Sequence, residues 1–237
     1  MDQIVLTDDD FYKHGSPPKT CFVCGSKELQ PFMKIDCRYY WTCVVCKVRI
    51  LSQQHWLSSD EEFKYYQTHR NISSDPGYQK FVSQLANPIL NKLTSNSRGL
   101  DFGSGPDSAL SVILRQNGHQ MTLYDPFFFP CKQSLKQTYD FIVCSEAAEH
   151  FHEPAIEFQK FDRLLVDNGW IGIMTNFQTE DTQFKNWHYR RDPTHVIFYR
   201  QETFKVIGKR WNWEPYFPSK NVVPVSYTHL RAHETLR

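Results

Sequence analysis

Residues 97–106 read Ser97-Arg98-Gly99-Leu100-Asp101-Phe102-Gly103-Ser104-Gly105-Pro106, a pattern that predicts a short strand running into a glycine turn. Residues 107–117 place apolar side chains at helical spacing, and Gly118 follows as a helix stop. Residues 121–124 predict a second strand, which Asp125 closes. The order of strand, glycine turn, helix, strand and acid is typical of a nucleotide-binding βαβ unit.

The details of this turn favour one class of nucleotide over another. A dinucleotide-binding fingerprint has a third glycine three residues after the second, and Ser108 stands at that position instead. Asp101 precedes the turn, and its carboxylate disfavours an anionic pyrophosphate. A cationic ligand with an adenosyl group fits better. The alternative is a glycine turn that only connects two core strands.

The pattern Asp-x-Gly-x-Gly, with an acid 20 residues after Gly105, resembles motif I and the ribose-binding acid of class I S-adenosylmethionine-dependent methyltransferases. The resemblance implies an α/β fold, a Rossmann-like sheet with helices on both faces. It also implies S-adenosylmethionine as the cofactor, with Asp101 assisting its cationic amino-acid end, directly or by holding the loop, and Asp125 binding its ribose. Gly103, Ser104 and Gly105 carry the backbone of the turn close to that cofactor.

A second stretch supports the same family. Residues 139–151 begin as a buried strand and end in polar residues, and they resemble the family's fourth strand with its Glu-His ending. Cys144 and Glu146, near the end of this strand, are therefore expected beside the cofactor. Pro154 predicts the start of a helix and Asn168-Gly169 its end, and the apolar run after them predicts a fifth strand.

The chain departs from the family pattern after the second strand. Only 14 residues separate Asp125 from Asp140, so a third strand with its flanking helices does not fit. We expect the third-strand region to be shortened. Residues 126–130, three phenylalanines between two prolines, predict a packed loop.

The N-terminal part carries the cysteine spacing of a zinc ribbon. The pairs Cys21-x₂-Cys24 and Cys43-x₂-Cys46 are 18 residues apart, and each pair presents two thiolates to one ion. Four thiolates close the coordination shell of Zn²⁺, so this zinc is expected to be structural. Two disulfides are the alternative, which a reducing compartment disfavours.

The other three cysteines are Cys37, Cys131 and Cys144. A free cysteine is most often a small buried hydrophobic residue, and we expect that role for all three. Cys37 lies between the two cysteine pairs, so a spare zinc ligand is its alternative role.

Composition and length limit the classes of protein to which the chain can belong. The 237 residues carry a formal net charge of +1, and the sequence has neither an apolar run of membrane-spanning length nor a secretory leader, so a cytoplasmic protein without a membrane partner is expected. The predicted organisation is a zinc-ribbon-like module at 1–58, a connector at 59–77 and a methyltransferase domain at 78–224. Residues 225–237 resemble a translated sequencing adaptor and are predicted to be a non-native tail that replaces the natural C-terminus.

Two local predictions concern the chain before the glycine turn. Asp75-Pro76-Gly77 predicts a turn. Apolar residues between Phe81 and Leu93 predict helical cover for the main domain, interrupted at Asn87-Pro88.

The segment after the predicted fifth strand is dense in reactive side chains. Residues 186–204 resemble a segment that follows strand five in bacterial methyltransferases, where it can close over the acceptor. His188 and His195 in this segment, and His150 after strand four, are the candidate catalytic residues, because a histidine can take a proton from an acceptor near neutral pH. A structural role is the alternative for each of them.

The same segment offers aromatic and basic groups. Trp187 and Tyr189 could cover a sulfonium through cation–π contact. The pair Arg190-Arg191 could meet an anionic substrate, with a solvated charged face as the alternative.

The predicted function is transfer of a methyl group from S-adenosylmethionine to a small-molecule acceptor, which a near-zero net charge favours. An RNA methyltransferase that grips nucleic acid with the ribbon is a second hypothesis, because residues 185–210 hold seven Lys or Arg against two acids. A non-enzymatic cofactor-binding protein is a third, because the third-strand region is short. No pattern predicts an oligomeric state.

Overall fold

A computed structural model describes residues 8–69, 71–178 and 180–227. Its helices are α1 (Asp8–His14), α2 (Ser59–Tyr66), α3 (Pro76–Leu90), α4 (Ala109–Gln116), α5 (Pro154–Leu164), α6 (Asp181–Phe184) and α7 (Gln201–Trp211). Its strands are β1 (Leu29–Ile35), β2 (Arg38–Cys43), β3 (Arg49–Leu51), β4 (Arg98–Phe102), β5 (Gln120–Tyr124), β6 (Tyr139–Ser145), β7 (Leu165–Met174), β8 (Ile197–Phe198), β9 (Trp213–Pro215) and β10 (Val222–Tyr227). Short 3₁₀ helices span Gln53–His55, Lys132–Lys136, Ala148–His150 and His188–Arg191.

The chain forms two compact units, each drawn from three segments. The first unit consists of the described residues of Met1–His69, Ala148–Glu157 and Asn176–Val206. The second unit consists of the described residues of Arg70–Ala147, Phe158–Thr175 and Ile207–Arg237.

The second unit contains a six-stranded sheet in the order β5-β4-β6-β7-β10-β9. Strands β5, β4, β6 and β7 are parallel, and β10 is antiparallel to both of its neighbours. Parallel strands covered on both faces are short apolar runs, and Leu100, Phe141 and Val143 are accordingly fully buried. The predicted α/β sheet and the strands expected around the glycine turn are confirmed.

Helices cover both faces of this sheet. Asp101 in β4 accepts hydrogen bonds from Ser108 and Ser111 at the start of α4. Its neighbour Phe102 makes an edge contact with Phe161 of α5, with ring centroids 4.9 Å apart. Adjacent strand residues point to opposite faces, so α4 and α5 lie on opposite sides of the sheet.

The shortened third-strand region is also confirmed. Every residue between β5 and β6 is described, and this stretch forms turns and the 3₁₀ helix Lys132–Lys136 without adding a strand to the sheet. Residues 126–130 form the expected loop, which begins at a bridge between Asp125 and Phe129. As a result, β5 lies at the edge of the sheet.

Helix α3 corrects two predictions. Asp75-Pro76-Gly77 begins this helix instead of forming a separate turn, because the Asp75 carboxylate accepts a hydrogen bond from the Tyr78 N–H (2.6 Å) and Pro76 takes the first helical position. The helix then continues through Pro88, where an interruption was predicted. Pro88 lies in the last turn, where it removes one hydrogen bond, and the buried side chains on this helix, such as Leu85, hold the turn in place.

The end of α5 corrects a third prediction. The helix ends at Leu164, not at Asn168-Gly169, because Leu165 already pairs with Tyr139 of β6. The register of the two strands then shifts before Phe141 pairs with Trp170. Sheet pairing therefore takes residues that the local pattern assigned to the helix.

The first unit contains a four-stranded sheet in the order β1-β2-β3-β8, with every neighbouring pair antiparallel. Asp36 and Cys37 connect β1 to β2 with φ angles of 50° and 62°, the two successive positive values typical of a tight hairpin turn. This turn leaves Cys37 exposed, and Cys131 in a loop is also exposed. The predicted burial was wrong for these two cysteines and is confirmed for Cys144.

Two further segments contain more regular structure than the sequence predicted. The stretch predicted as a connector at 59–77 contains α2, whose start is held by a capping box between Ser58 and Glu61. The predicted tail begins inside β10, where Val225 pairs with Ile171. Residues 228–237 of that tail lie outside the described residues. Among the described residues, none of the helices combines the length and apolar character needed to cross a bilayer.

Candidate functional site

The carboxyl ends of β5, β4 and β6 lie side by side, because these strands are neighbours and parallel. Ligands of open α/β sheets bind outside such ends. The glycine turn leaves β4 here, Asp125 follows β5 and Glu146 follows β6. The second unit thus brings predicted cofactor residues from three separate segments to one edge of its sheet, which we call the cofactor crevice.

The glycine turn needs its glycines for two different reasons. Gly103 and Gly105 have φ angles of 74° and 63°, a region that side chains other than glycine rarely adopt. A Cβ atom on Gly103 would lie 2.5 Å from the Cβ atom of Ala147, so this position needs glycine for packing as well. A Cβ atom on Gly105 would meet no atom within 4 Å. The backbone at Gly105 is therefore bare on the side where a side chain would project.

The Asp125 carboxylate organises the loops around the crevice. Its Oδ2 atom accepts a hydrogen bond from the Gly105 N–H (3.0 Å), and its Oδ1 atom accepts from the N–H groups of Phe127 (2.9 Å) and Phe128 (3.0 Å). An ionised carboxylate offers about four acceptor positions, so it can accept one further hydrogen bond. The predicted ribose acid therefore also links the glycine turn to the loop at 126–130.

Asp101 lies deeper, at only 2% exposure. Its Oδ2 atom accepts hydrogen bonds from the hydroxyls of Ser108 (2.5 Å) and Ser111 (2.7 Å). Burial raises the pKa of this carboxyl, and the two hydroxyls partly oppose the rise. These contacts anchor the start of α4 directly after the glycine turn, which agrees with the indirect, loop-holding role among the two that the sequence allowed.

The remaining crevice residues differ in accessibility. Cys144 is fully buried within β6. Glu146 has a φ of 48°, and its N–H donates to the Met174 carbonyl (2.8 Å). Strained residues of this kind cluster at binding sites. The contributions of Cys144 and Glu146 to cofactor binding stay predictions.

Sequence reasoning missed Tyr78. Burial, with smaller effects from Asp101, Asp107 and Glu146, raises the pKa of this phenol to about 12. Two of these acids, Asp101 and Glu146, are predicted cofactor residues. It stands on α3, far before the glycine turn in the chain, and its only local signal was its position after the helix cap at Asp75.

The four predicted zinc ligands meet in the first unit. The sulfur atoms of Cys21 and Cys46 are 3.6 Å apart, and those of Cys24 and Cys43 are 3.5 Å apart. A disulfide has an S–S distance of about 2.05 Å, whereas thiolates around one Zn²⁺ at 2.3 Å lie about 3.8 Å apart. The spacing fits a shared ion, and all four cysteines are free of disulfides.

The backbone has a similar conformation at the two cysteine pairs. In the first, the Gly25 N–H donates to the Cys21 carbonyl (2.9 Å), and in the second the Lys47 N–H donates to the Cys43 carbonyl (2.9 Å). Gly25 and Lys47 both have a positive φ, 77° and 62°. Each pair therefore forms a tight knuckle that aims two sulfur atoms inward.

Proximity also shifts the pKa values of the four thiols, in opposite directions. Hydrogen bonding, chiefly with Cys21, lowers the pKa of Cys24 to about 7 and also lowers the pKa of Cys43. Hydrogen bonding with Cys24 raises the pKa of Cys21, and hydrogen bonding with Cys21 raises that of Cys46. These shifts follow from the close approach of the four sulfur atoms to one another.

Two of the three candidate catalytic histidines come together in the first unit. The rings of His150 and His195 are 4.7 Å apart, and His195 lies against the ring of Tyr189 at 4.2 Å. Burial, aided by His150, lowers the pKa of His195, which favours its neutral form. Glu149, whose side chain is fully buried, lies within 3.9 Å of both histidines.

The remaining candidates of the segment at 186–204 also belong to the first unit. His188 is exposed and is not part of the histidine pair. Arg190 is buried and donates a hydrogen bond to the Lys185 carbonyl (2.9 Å). Its guanidinium also lies 3.5 Å from the Asp36 carboxylate, so its charge is paired with an acid of the same chain. Trp187 packs on Tyr189 with ring centroids 5.0 Å apart.

Comparison with known proteins gives one family match. A family profile described as "Methyltransferase domain" matches residues 73–216. No curated protein matches the sequence significantly.

Solved structures that resemble the chain share little of its sequence. An S-adenosylmethionine-dependent methyltransferase from Thermotoga maritima is 10% identical, with a TM-score of 0.42 over 72% of this chain and 95% of that chain. The Burkholderia thailandensis 1,6-didemethyltoxoflavin-N1-methyltransferase, solved with 1,6-didemethyltoxoflavin and S-adenosylhomocysteine, is 12% identical, with a TM-score of 0.47 over 84% and 99%. A chain of the complex between the Haloferax volcanii Trm112 methyltransferase activator and a methyltransferase is 12% identical, with a TM-score of 0.47 over 71% and 98%.

Proposed function

We propose that this chain, which belongs to the methyltransferase-domain family, transfers a methyl group from S-adenosylmethionine to a small-molecule acceptor. The observation that carries the proposal is the bond between the Gly105 N–H and the Asp125 carboxylate at a turn whose backbone is bare. A ligand can approach this backbone closely, and the carboxylate beside it can accept a further hydrogen bond. Both features suit an adenosyl ligand.

The crevice residues take distinct roles in this proposal. Asp125 accepts a hydrogen bond from a ribose hydroxyl, and the backbone at 103–105 passes beneath the cofactor. Asp101 acts at a distance, because its bonds to Ser108 and Ser111 hold the turn and α4 in register. Carboxylates around the crevice favour the cationic sulfonium of S-adenosylmethionine over an anionic dinucleotide.

Methyl transfer from a sulfonium does not require a covalent intermediate with the protein. The acceptor's electron pair forms the new bond to the methyl carbon while the C–S bond breaks, and its electrons leave a neutral thioether. In-line positioning and exclusion of water account for most of the acceleration. An acceptor that carries a proton must also lose it, and we propose His150, His195 or His188 for that step.

Ion pairs between residues of the same chain support a small-molecule acceptor over RNA. Arg190 lies beside Asp36, and Arg200 lies 3.5 Å from Asp181 and 3.8 Å from Glu202. Two of the basic residues that suggested a nucleic-acid patch are therefore paired with acids. A salt titration of RNA binding distinguishes the alternatives, because phosphate contacts give a steep loss of affinity with salt.

We also propose that Cys21, Cys24, Cys43 and Cys46 bind one structural Zn²⁺. Sulfur–sulfur distances near those of a tetrahedral site support this. Four protein ligands leave the ion without an open position, so its contribution is to folding.

A pair of glycine variants tests the cofactor site. Gly105→Val should abolish binding of S-adenosylmethionine in calorimetry, because the side chain fills the bare face of the turn. Gly118→Val is the matched control: Gly118 also has a positive φ, 86°, and open space around its Cβ position, but it lies at the other end of α4. Equal cofactor affinity in both variants would count against the assignment.

A further inference from the structure

We propose that Glu149, His150 and His195 form a second metal site, which binds a divalent transition-metal ion. The site is separate from the cysteine cluster, and all three residues belong to the first unit. It goes beyond the proposed function, because it adds a metal that methyl transfer from a sulfonium does not require.

Glu149 is the first observation. Its side chain is fully buried, and neither carboxylate oxygen has a hydrogen-bond partner among the described residues. A buried carboxylate without donors is strongly disfavoured, because it loses its water and receives nothing in return. An ionised carboxylate in this position needs a cation against it.

The two histidines supply the second observation. The Nε2 atoms of His150 and His195 each lie 3.9 Å from the Glu149 Oε1 atom. On the opposite side of the rings, the Nδ1 atom of His150 contacts the Thr194 carbonyl (3.1 Å), and that of His195 contacts the Tyr189 carbonyl (2.7 Å).

These carbonyl contacts fix the tautomers. A carbonyl oxygen only accepts, so Nδ1 must carry the proton in each ring. Both Nε2 atoms then present lone pairs toward Glu149, as a metal-ligating histidine does when its other nitrogen is held by a backbone carbonyl. With both rings neutral and the carboxylate ionised, three electron-pair donors face one another.

Distance and charge favour a metal ion over a shared proton. A proton shared with the carboxylate would bring nitrogen and oxygen to about 2.8 Å, whereas ligands at about 2.1 Å from one tetrahedral ion lie about 3.4 Å apart. The observed 3.9 Å is nearer to the second value. The Asp192 Oδ2 atom, 4.0 Å from the His195 Nε2 atom, adds a second negative charge. A divalent cation balances the two carboxylates.

The donor set indicates the class of ion. Two imidazole nitrogens with one carboxylate suit Zn²⁺, Fe²⁺ or Co²⁺, whereas Mg²⁺ and Ca²⁺ prefer ligands that are all oxygen. Three protein ligands leave positions for water or an acceptor oxygen, unlike the closed shell of four thiolates.

Cobalt loading of the full chain tests the site. Metal-free protein is reloaded with Co²⁺, and the ions bound per chain and the absorption spectrum are measured. We expect two ions per chain, of which only the one at the cysteine cluster produces a thiolate-to-cobalt charge-transfer band. Glu149→Gln and His195→Ala should bind one ion and keep the full band. The control His188→Ala changes an exposed histidine outside the cluster and should keep both ions.

Each outcome decides the proposal. One ion in the wild-type chain overturns it, and so does a Glu149→Gln variant that still binds two ions. An intact charge-transfer band reports that a variant is folded around the cysteine cluster. If Glu149→Gln loses the band, His150→Ala replaces it, since the His150 side chain is 17% exposed and less central to packing. Methyl transfer is not measured, so failure here leaves the proposed function untouched.

Discussion

At the scale of single residues, the buried Asp101 carboxylate makes the stability of the folded chain depend on pH. Burial raises its pKa in the folded chain above the unfolded value of about 3.9. A raised carboxyl pKa means that the folded state binds the proton more tightly. The contribution of Asp101 to stability is therefore greatest below the unfolded pKa, and it is lost as pH rises through the folded pKa.

Ser111→Ala should make this loss larger. The variant removes one of the two hydroxyls that donate to the Asp101 carboxylate, so the ionised form loses a partner. We expect a free energy of unfolding about 1–3 kcal/mol below wild type above the folded pKa, and a much smaller difference at acid pH. Denaturant unfolding at a series of pH values measures it.

Ser83→Ala is the control for that series. The Ser83 hydroxyl donates to the Gln79 carbonyl (2.7 Å) and faces no ionisable group in that bond. Its effect on unfolding should not change with pH. A Ser111→Ala deficit that is constant with pH would show that Ser111 does not act through Asp101.

His150 and His195 give a second prediction at this scale. If they act in proton removal, His150→Ala and His195→Ala should each slow methyl transfer by roughly 10²–10⁴-fold and keep most of the affinity for S-adenosylmethionine. The exposed His188 is measured alongside them as the third candidate. Cofactor affinity and turnover are measured on each variant, together with the pH profile. Full activity in all three variants would show that none of these histidines is needed for methyl transfer.

At the scale of elements, the two cysteine knuckles differ at one position. Gly25 takes the left-handed conformation without strain, whereas Lys47 adopts the same conformation with a side chain. A left-handed residue other than glycine costs about 1–2 kcal/mol. The second knuckle therefore carries strain that the first does not.

Lys47→Gly should relieve this strain. The gain is partly offset by the greater flexibility of glycine in the unfolded chain, so we expect the free energy of unfolding of the zinc-loaded protein to rise by about 1 kcal/mol. Lys27→Gly is the matched control, because Lys27 is an exposed lysine after the first knuckle without a positive φ. That change should be destabilising. A gain of equal size in both variants would contradict the explanation.

At the scale of the whole molecule, each compact unit has its own sheet. The second unit packs α3 and α4 on its sheet through a buried cluster that includes Leu85, Leu110 and Phe141. The cysteine knuckles lie beside the strands of the first unit, where the Cys43 N–H donates to the Val48 carbonyl (3.1 Å). Loss of the proposed zinc should therefore act on the first unit.

Hydrogen exchange on a Cys43→Ser variant tests this prediction. Amides of β2 and β3 should lose protection, whereas those of β6 and β7 should keep it, because the second unit retains its own core. Purified wild-type protein should contain zinc, and chelation should reproduce the exchange pattern of the variant. Equal loss of protection in both sheets would contradict the separate stability of the two units.

The sequence by itself determined the elements around the glycine turn and the cysteine ligand spacing. These signals are local: a strand, a glycine turn and a helix follow one another within residues 97–125, and each knuckle needs only four residues. The short gap between Asp125 and Asp140 likewise excluded a third strand by chain length alone. Local pattern failed where pairing or capping outweighed it, as at Leu165 and Asp75.

Only the tertiary structure decided what several of these side chains touch. In the folded chain, Asp101 accepts hydrogen bonds from Ser108 and Ser111. Glu149 lies beside His195, which belongs to a different segment of the chain. The two segments are held together where the Val196 N–H donates a hydrogen bond to the Glu149 carbonyl (3.0 Å). Such contacts depend on how distant segments pack, and neither hydrophobic period nor residue spacing encodes them. The chemistry of the histidine cluster therefore became visible only once the chain was folded.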